Sequence, residues 1–325
     1  MKFLVTGCAG FIGFHIARKL IRDGHKVIGI DNINSYYDLK LKKDRLNTLK
    51  SIDAKKFIFH KLDISEESAF NKISKYKVNI IVHLAAQAGV RYSLKHPKEY
   101  IKSNLNGFFN IFNYSKKNKI KKIIFASSSS VYGKTRKKIF HENLRIDRPL
   151  QLYAATKASN ELMAASYHHL YNINFIGLRF FTVYGEWGRP DMAIYTFTKN
   201  IIENKPVLLF NNGNNFRDFT YIDDVVAAIN KSINYIKKQK KIFEIFNVGN
   251  NKNINVKEYL KVIELNLGKK ANIIKVPHQP GDMVSTRAST YKSKKNLKFS
   301  SKYNLQVGIK NYVNWFKDYY KKKNK

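Results

Sequence analysis

The sequence predicts an α/β fold, a doubly wound parallel sheet with a smaller, interleaved C-terminal domain. Three observations support this. Short apolar runs alternate with longer segments of helical period through the first half of the chain. A glycine-spaced turn joins the first apolar run to the first helical segment. The alternation weakens after residue 180, yet a late apolar run, EIFNVGN, has the character of a further strand of the same sheet.

Each element follows from its pattern. KFLVTG (2–7), KVIGIDN (26–32), FIFHKLDI (57–64), NIIVHLAA (79–86), KKIIFASS (121–128) and NFIGLRFF (174–181) read as buried parallel strands. FIGFHIARKLIRDG (11–24) and LYAATKASNELMAASYHHLYN (152–172) read as helices, and right-handed crossovers between parallel strands make the sheet doubly wound. Beyond it come a helix-like AIYTFTKNIIEN, a polar turn NNGNNFRDF and a second helix TYIDDVVAAINKSINYI. The expected division is residues 1–180 plus about 221–250 in the sheet domain, and 181–220 plus 251–325 in the second. The basic KKKNK end is expected to fray.

Composition narrows the function classes. The formal charge is +37, but the basic residues lie in stretches such as LKLKKDRL, KKNKIKK and IKKQKK without aromatic interleaving. That is a set of solvated faces, which predicts no specific nucleic-acid partner beyond non-specific attraction to polyanions at low salt. The one cysteine, Cys8, precludes an intrachain disulfide framework, and no run of about eighteen apolar residues occurs, so a cytoplasmic protein with no membrane partner is expected. No metal is expected.

The first strand runs into Gly7-Cys8-Ala9-Gly10-Phe11-Ile12-Gly13 and then directly into a helix. Spacing of the form G-x-x-G-x-x-G at a strand–turn–helix lets backbone approach a pyrophosphate at a helix N-terminus. The second strand ends in Asp31-Asn32, where a carboxylate accepts from a ribose diol and repels a 2′-phosphate, so NAD is expected over NADP. Asp63, closing the third strand, is a further candidate toward the adenine, and Cys8 reads as a small space-filler.

Tyr153 and Lys157 stand at i and i+4 at the start of a helix and so share a face. An ammonium there is expected to favour the phenolate and fit Tyr153 for general-base work. The fifth strand ends in Ser127-Ser128-Ser129-Ser130-Val131-Tyr132-Gly133, placing hydroxyls at the sheet edge where open α/β sheets bind ligands.

These residues resemble the extended short-chain dehydrogenase/reductases over essentially the whole chain, on a Rossmann fold. Within that family they are most similar to the UDP-glucuronate 4-epimerases, through LAAQAGVRYS (84–93), SSSSVYG (127–133), LYAATKASNELMA (152–164), FFTVYGEWGRPDMA (180–193) and RDFTYIDDV (217–225). The resemblance implies that Tyr153 is the base, that Lys157 tunes it and holds the nicotinamide ribose, and that Ser128 bonds the reacting hydroxyl, with Ser127 and Ser129 as competitors for that role. It implies that Asn104 and the Ala85-Ala86-Gln87 turn line the cofactor, that Arg217 and Asp282 hold UDP, and that the protein is a homodimer through the helices after Leu94 and Leu152. Related dehydratases and decarboxylases carry Glu immediately before Val-Tyr-Gly; Ser130 stands there instead, which implies epimerisation without loss of water or CO₂.

A uronic acid oxidised at C4 is a β-keto acid that loses CO₂ unless its carboxylate is held. Arginine grips carboxylates bidentately, and this chain has only eleven arginines. By resemblance, Arg189 and Thr182 contact the sugar carboxylate, Arg91 is a second candidate, and Trp187 and Pro190 frame Arg189. Arg179, within an apolar strand, reads as a structural pair. Arg287 and Ser289 replace residues usual in relatives, which puts the packing of that loop in question. The alternatives are a UDP-glucose or UDP-N-acetylglucosamine 4-epimerase and, outside enzymes, an NAD-sensing binding protein.

Overall fold

The computed structural model describes residues 1–321; of the KKKNK end expected to fray, Lys321 closes the helix Leu305–Lys321 and residues 322–325 lie outside the described residues. In chain order the first half forms β1 (Lys2–Thr6), α1 (Phe11–Arg22), β2 (Lys26–Asp31), α2 (Leu39–Ile52), β3 (Phe57–Lys61), β4 (Ile80–His83), β5 (Lys122–Ser128) and β6 (Asn174–Phe180). The strand Phe243–Val248 pairs with β6 and completes a seven-stranded sheet, in the order Phe243–Val248, β6, β5, β4, β1, β2, β3. Every pairing in it is parallel. The order reverses between β1 and β4, the switch point where such sheets open a crevice.

The strands are apolar on both faces, as a sheet covered on both sides requires. Successive residues alternate sides: Phe3, Val5, Val27, Val82 and Ile124 join the core under α1, α2 and the helix Ile222–Lys238. Leu4, Ile28, Ile81, Ile123 and Phe175 join the core under the helices Gly107–Lys117 and Leu152–Tyr171. The helix Ile222–Lys238 carries Asp223 and Asp224 in its first turn and Lys237 and Lys238 in its last, matching its macrodipole.

The remaining segments pair with one another in short strands. Thr182–Tyr184 lies parallel to Phe219–Tyr221, Phe216–Arg217 lies antiparallel to Ile254–Asn255, and Val207–Phe210 lies parallel to Ile273–Val276. The last of these pairs is not evident from the local pattern. The third and fourth strands are shorter than their apolar runs, ending at Lys61 and His83, because the chain turns out of the sheet there. Leu84 and Ala85 then lean back on β1, both amides donating to Thr6 Oγ1 at 3.1 and 3.0 Å. The helical run from Val90 to Lys117 contains a π-turn at Ile101–Asn106, a feature that the sequence pattern did not signal.

Candidate active site

The loops at the C-terminal edge of the sheet enclose a cavity of about 970 Å³. At one end Gly7, Gly10, Phe11, Ile12 and Gly13 line it. Gly7 has φ +69°, and a Cβ on Gly13 would collide with the Gly7 carbonyl, so the turn and helix close together only without side chains. No side chain caps α1 and its first turn has no acidic residue, which leaves its positive end to the cavity.

At the end of β2, Asp31 accepts from the amides of Ala9 (3.1 Å) and Ile33 (2.8 Å). Burial raises its carboxyl above the ordinary value, with those amides and Lys42 acting in the other direction. An uncapped helix terminus beside a carboxylate fits the pyrophosphate and ribose of a dinucleotide. Asn32, Asp63, Ala85, Ala86 and Gln87 line the same end. Asp63 is already engaged by Ser65 and by Asn32 Nδ2 at 3.3 Å.

Asn104, expected to line the cofactor, does not line the cavity. It is buried behind Gln87, accepting from the Gln87 amide (2.8 Å) and donating to the Gln87 carbonyl and Thr156 Oγ1 (both 3.1 Å). Its position in the π-turn points it at the loop's backbone, so it positions Gln87 from behind. Cys8 is fully buried, and burial together with Asp31 pushes its thiol well up, which makes it unreactive packing.

Tyr153, Lys157 and Ser128 meet in the middle of the cavity. The Ser128 hydroxyl donates to Ser130 Oγ and accepts from the Ser130 amide, both at 3.2 Å, and lies near enough to Tyr153 to act on its phenol. Ser127 is different: its hydroxyl donates to Glu161 Oε1 at 2.5 Å. The Tyr153 phenol is raised by burial, with the Ser128 hydroxyl and the charge of Arg189 acting in the other direction. The Lys157 ammonium donates to the Ala126 carbonyl at 2.9 Å, and the positive charge of Arg189 favours the Tyr153 phenolate.

Burial also lowers Lys157 to about 8 from an ordinary value near 10.5, with Glu161 opposing. The folded state therefore holds fewer protons than the unfolded state between those values, and this group's contribution to stability grows as pH rises from about 8 towards 10.5. Lys157→Met removes that dependence. In thermal melts, wild type is expected to gain on Lys157→Met as pH rises through this window; a constant difference would contradict it.

Arg179 and Glu161 form the buried pair expected of Arg179: Nε and Nη2 donate to Glu161 at 2.9 and 2.7 Å, with both side chains about 95% buried. The pair ties β6 to the helix bearing Tyr153. Glu161→Ala would leave a buried guanidinium uncompensated, an expected cost of about 3–5 kcal/mol in denaturant unfolding. A loss under about 1 kcal/mol would mean that Arg179 finds another partner.

Toward the other end stand Arg91, Thr182, Arg189, Arg217 and Asp282, all lining the cavity. Arg91 lies over the Phe210 ring, 4.6 Å from its centroid. Arg217 donates to Asp282 at 2.8 Å, and Thr182 reaches the same region because its amide donates to the Asp218 carbonyl. Of the loop in question, Arg287 donates to the Asn251 carbonyl at 3.2 Å and Ser289 is buried against Phe140 and Asn247, so it packs without the usual residues.

Arg45, Asp191 and Tyr36, which the sequence pattern did not signal, support this end together with Trp187. Arg45, fully buried, donates to the Ala9, Trp187 and Gly188 carbonyls. Trp187 holds φ +58° and packs among Phe14, Trp315 and Tyr319. Asp191 accepts from Arg189 Nε and Nη2 at 2.9 and 2.8 Å, and Tyr36 donates to the same carboxylate at 2.9 Å. Lone polar residues in distant loops carry no local pattern that would have paired them. Among the described residues no group of His, Cys, Asp and Glu is placed to hold a metal ion, and no helix is long and apolar enough to cross a membrane.

A protein of Thermodesulfobacterium geofontis named UDP-glucuronate 4-epimerase is 41% identical, over 97% of this chain and 96% of its own length. The crystal structure of UDP-glucuronic acid 4-epimerase from Bacillus cereus, in complex with UDP-glucuronic acid and NAD, superposes with a TM-score of 0.90 at 32% identity, covering 98% of this chain and 100% of that one. A UDP-glucose 4-epimerase from Thermotoga maritima, solved with UDP-glucose, superposes with a TM-score of 0.89 at 29% identity, covering 98% of this chain and 100% of that one. The family model for the NAD dependent epimerase/dehydratase family matches residues 3–249, and with the uncapped helix and Asp31 at one end of the cavity and Tyr153 at its centre, the chain belongs to that family.

Proposed function

We propose that this chain is an NAD-dependent UDP-sugar 4-epimerase whose substrate is UDP-glucuronate and whose product is UDP-galacturonate. The observation that carries the substrate is that Arg189 lines the same cavity as Tyr153 and Ser128, with its charge acting on the phenol. A neutral sugar gives an arginine there no anion to hold.

NAD, when held there, would supply the hydride acceptor and donor for C4. Tyr153 takes the proton of the sugar 4-hydroxyl and returns it on the other face after the ring has turned. Ser128, lining the cavity beside Tyr153, orients that hydroxyl. Lys157, anchored on Ala126, holds the nicotinamide ribose. Gly7 to Gly13 and Asp31 hold the dinucleotide, with Asn32, Asp63 and the Ala85-Ala86-Gln87 turn along its adenosine and nicotinamide sides. Arg217 and Asp282 hold the UDP, and segments 181–220 and 251–321 form the domain that carries it. Ser130, where a carboxylate would serve elimination, leaves epimerisation as the outcome.

The similarity to the Thermotoga maritima enzyme favours a second reading, a neutral UDP-hexose. Product analysis after separate incubations with UDP-glucuronate and UDP-glucose decides between them. Conversion of the uronate to its C4 epimer is expected; turnover of UDP-glucose alone would overturn the proposal.

The protein is further proposed to be a homodimer. Leu94, Ile101 and Phe109 are exposed on the helical run from Val90 to Lys117, and Leu162 and Leu170 are exposed on Leu152–Tyr171. The latter two lie eight residues apart on one helical face. Sedimentation velocity would test this, a monomer at micromolar concentration contradicting it.

A further inference from the structure

We infer that Asp191, anchored by Tyr36, is a positioning residue that sets the plane of the Arg189 guanidinium for the sugar carboxylate. This rests on the proposed uronate reading. A guanidinium offers two bidentate edges, a side edge of Nε with one terminal nitrogen and an end edge of the two terminal nitrogens. Asp191 takes the side edge, through Nε at 2.9 Å and Nη2 at 2.8 Å. Apart from a long contact of Nη2 to Met192 Sδ at 3.7 Å, no other acceptor meets the Arg189 side chain among the described residues. The end edge therefore remains for a ligand in a side chain that lines the cavity.

The carboxylate that fixes Arg189 is itself held from another part of the chain. Tyr36, in the loop that follows β2, donates to Asp191 Oδ2 at 2.9 Å across 155 residues of sequence. Tyr36 reaches that position by lying on Gly89, whose φ is +102° and where any Cβ would collide with the Tyr36 hydroxyl. It also packs edge-on against Tyr92, with ring centroids 4.6 Å apart. The loop beside Asp31, the turn after β4 and the turn bearing Arg189 are thus joined at Asp191.

Two carboxylates then share one arginine, and this predicts a particular failure. Without Asp191 the guanidinium keeps its charge and still attracts the uronate, but its plane is no longer set. The 4-keto intermediate then swings its carboxylate out of line. The C5–C6 bond breaks, its electron pair passes to the C4 ketone as an enolate, CO₂ leaves and a proton is added at C5. The resulting 4-keto pentose either leaves with the hydride kept on NADH or takes the hydride back at C4 to become a UDP-pentose, and in both cases one CO₂ is released per sugar lost to epimerisation.

The test uses the full-length, NAD-loaded protein and UDP-glucuronate labelled at C6. Wild type, Asp191→Ala, Asp191→Asn and Tyr36→Phe are compared for epimer formed, label released as CO₂, KM, NAD content and affinity for UDP. In Asp191→Ala, CO₂ released per epimer is expected to rise at least ~10-fold while kcat falls and KM is unchanged or lower. Asp191→Asn should fall between it and wild type, and Tyr36→Phe, which removes one hydroxyl, should shift the ratio in the same direction if the larger substitutions prevent folding. A merely structural role would raise KM and reduce UDP affinity or NAD content without altering the product ratio. A wild type that epimerises UDP-glucuronate while these variants keep its product ratio overturns this inference alone. A wild type that leaves UDP-glucuronate unchanged overturns the parent reading and this one with it.

Discussion

Tyr153→Phe is expected to lower epimerisation by ~10²–10⁴-fold, the range over which a positioned acid–base group acts, with NAD content and melting temperature close to wild type. The phenol lies where Ser128 and the charge of Arg189 both act on it. Phenylalanine keeps the ring that packs edge-on against Tyr100, 6.1 Å between centroids, and so leaves the helix N-terminus in place. Gln151 continues to cap that helix through the Ala154 amide at 2.8 Å. Turnover and released NAD measured on the same sample make the comparison. Retained turnover would require another base and would overturn the assignment of Tyr153.

The parallel sheet was legible because its strands are buried on both faces and therefore uniformly apolar, a signal that survives without any knowledge of neighbours. The glycine turn was legible because backbone crowding at Gly7 and Gly13 is a local property. The register of the serines was not. Ser127 and Ser128 are adjacent on β5 and so point to opposite sides of it; which side held Glu161 and which held Tyr153 depended on how the helix Leu152–Tyr171 lay across the strand. The same holds for Lys157: i, i+4 spacing placed it on the face of Tyr153, yet the length of its side chain carries the ammonium to Ala126. Asn104 was assigned to the right neighbourhood but to the wrong side of the loop, because a π-turn changes which way a helical residue faces. Asp191, Tyr36 and Arg45 act through partners far away in sequence, and only the folded chain brings them together.

Arg189→Lys is the more informative of two substitutions at that position. Lysine retains a positive charge near the Tyr153 phenol but loses the planar fork. If Arg189 served only to bias the phenol, Lys would preserve turnover and Ala would not. If it holds a carboxylate bidentately, both fail on UDP-glucuronate. The second outcome is expected, with turnover of the uronate lowered ~10²-fold in Arg189→Lys, as follows from loss of a charged hydrogen-bond pair of about 3 kcal/mol. Binding of UDP, measured by calorimetry, is expected to be unchanged, because Arg217 is paired with Asp282 while Arg189 is paired with Asp191. Unchanged uronate kinetics would remove Arg189 from the site. A parallel loss of UDP affinity would instead point to collapse of the turn that Arg45 holds through the Trp187 and Gly188 carbonyls. The two failures separate because the arginine's charge and the turn's backbone are anchored by different partners, Asp191 for the one and Arg45 for the other.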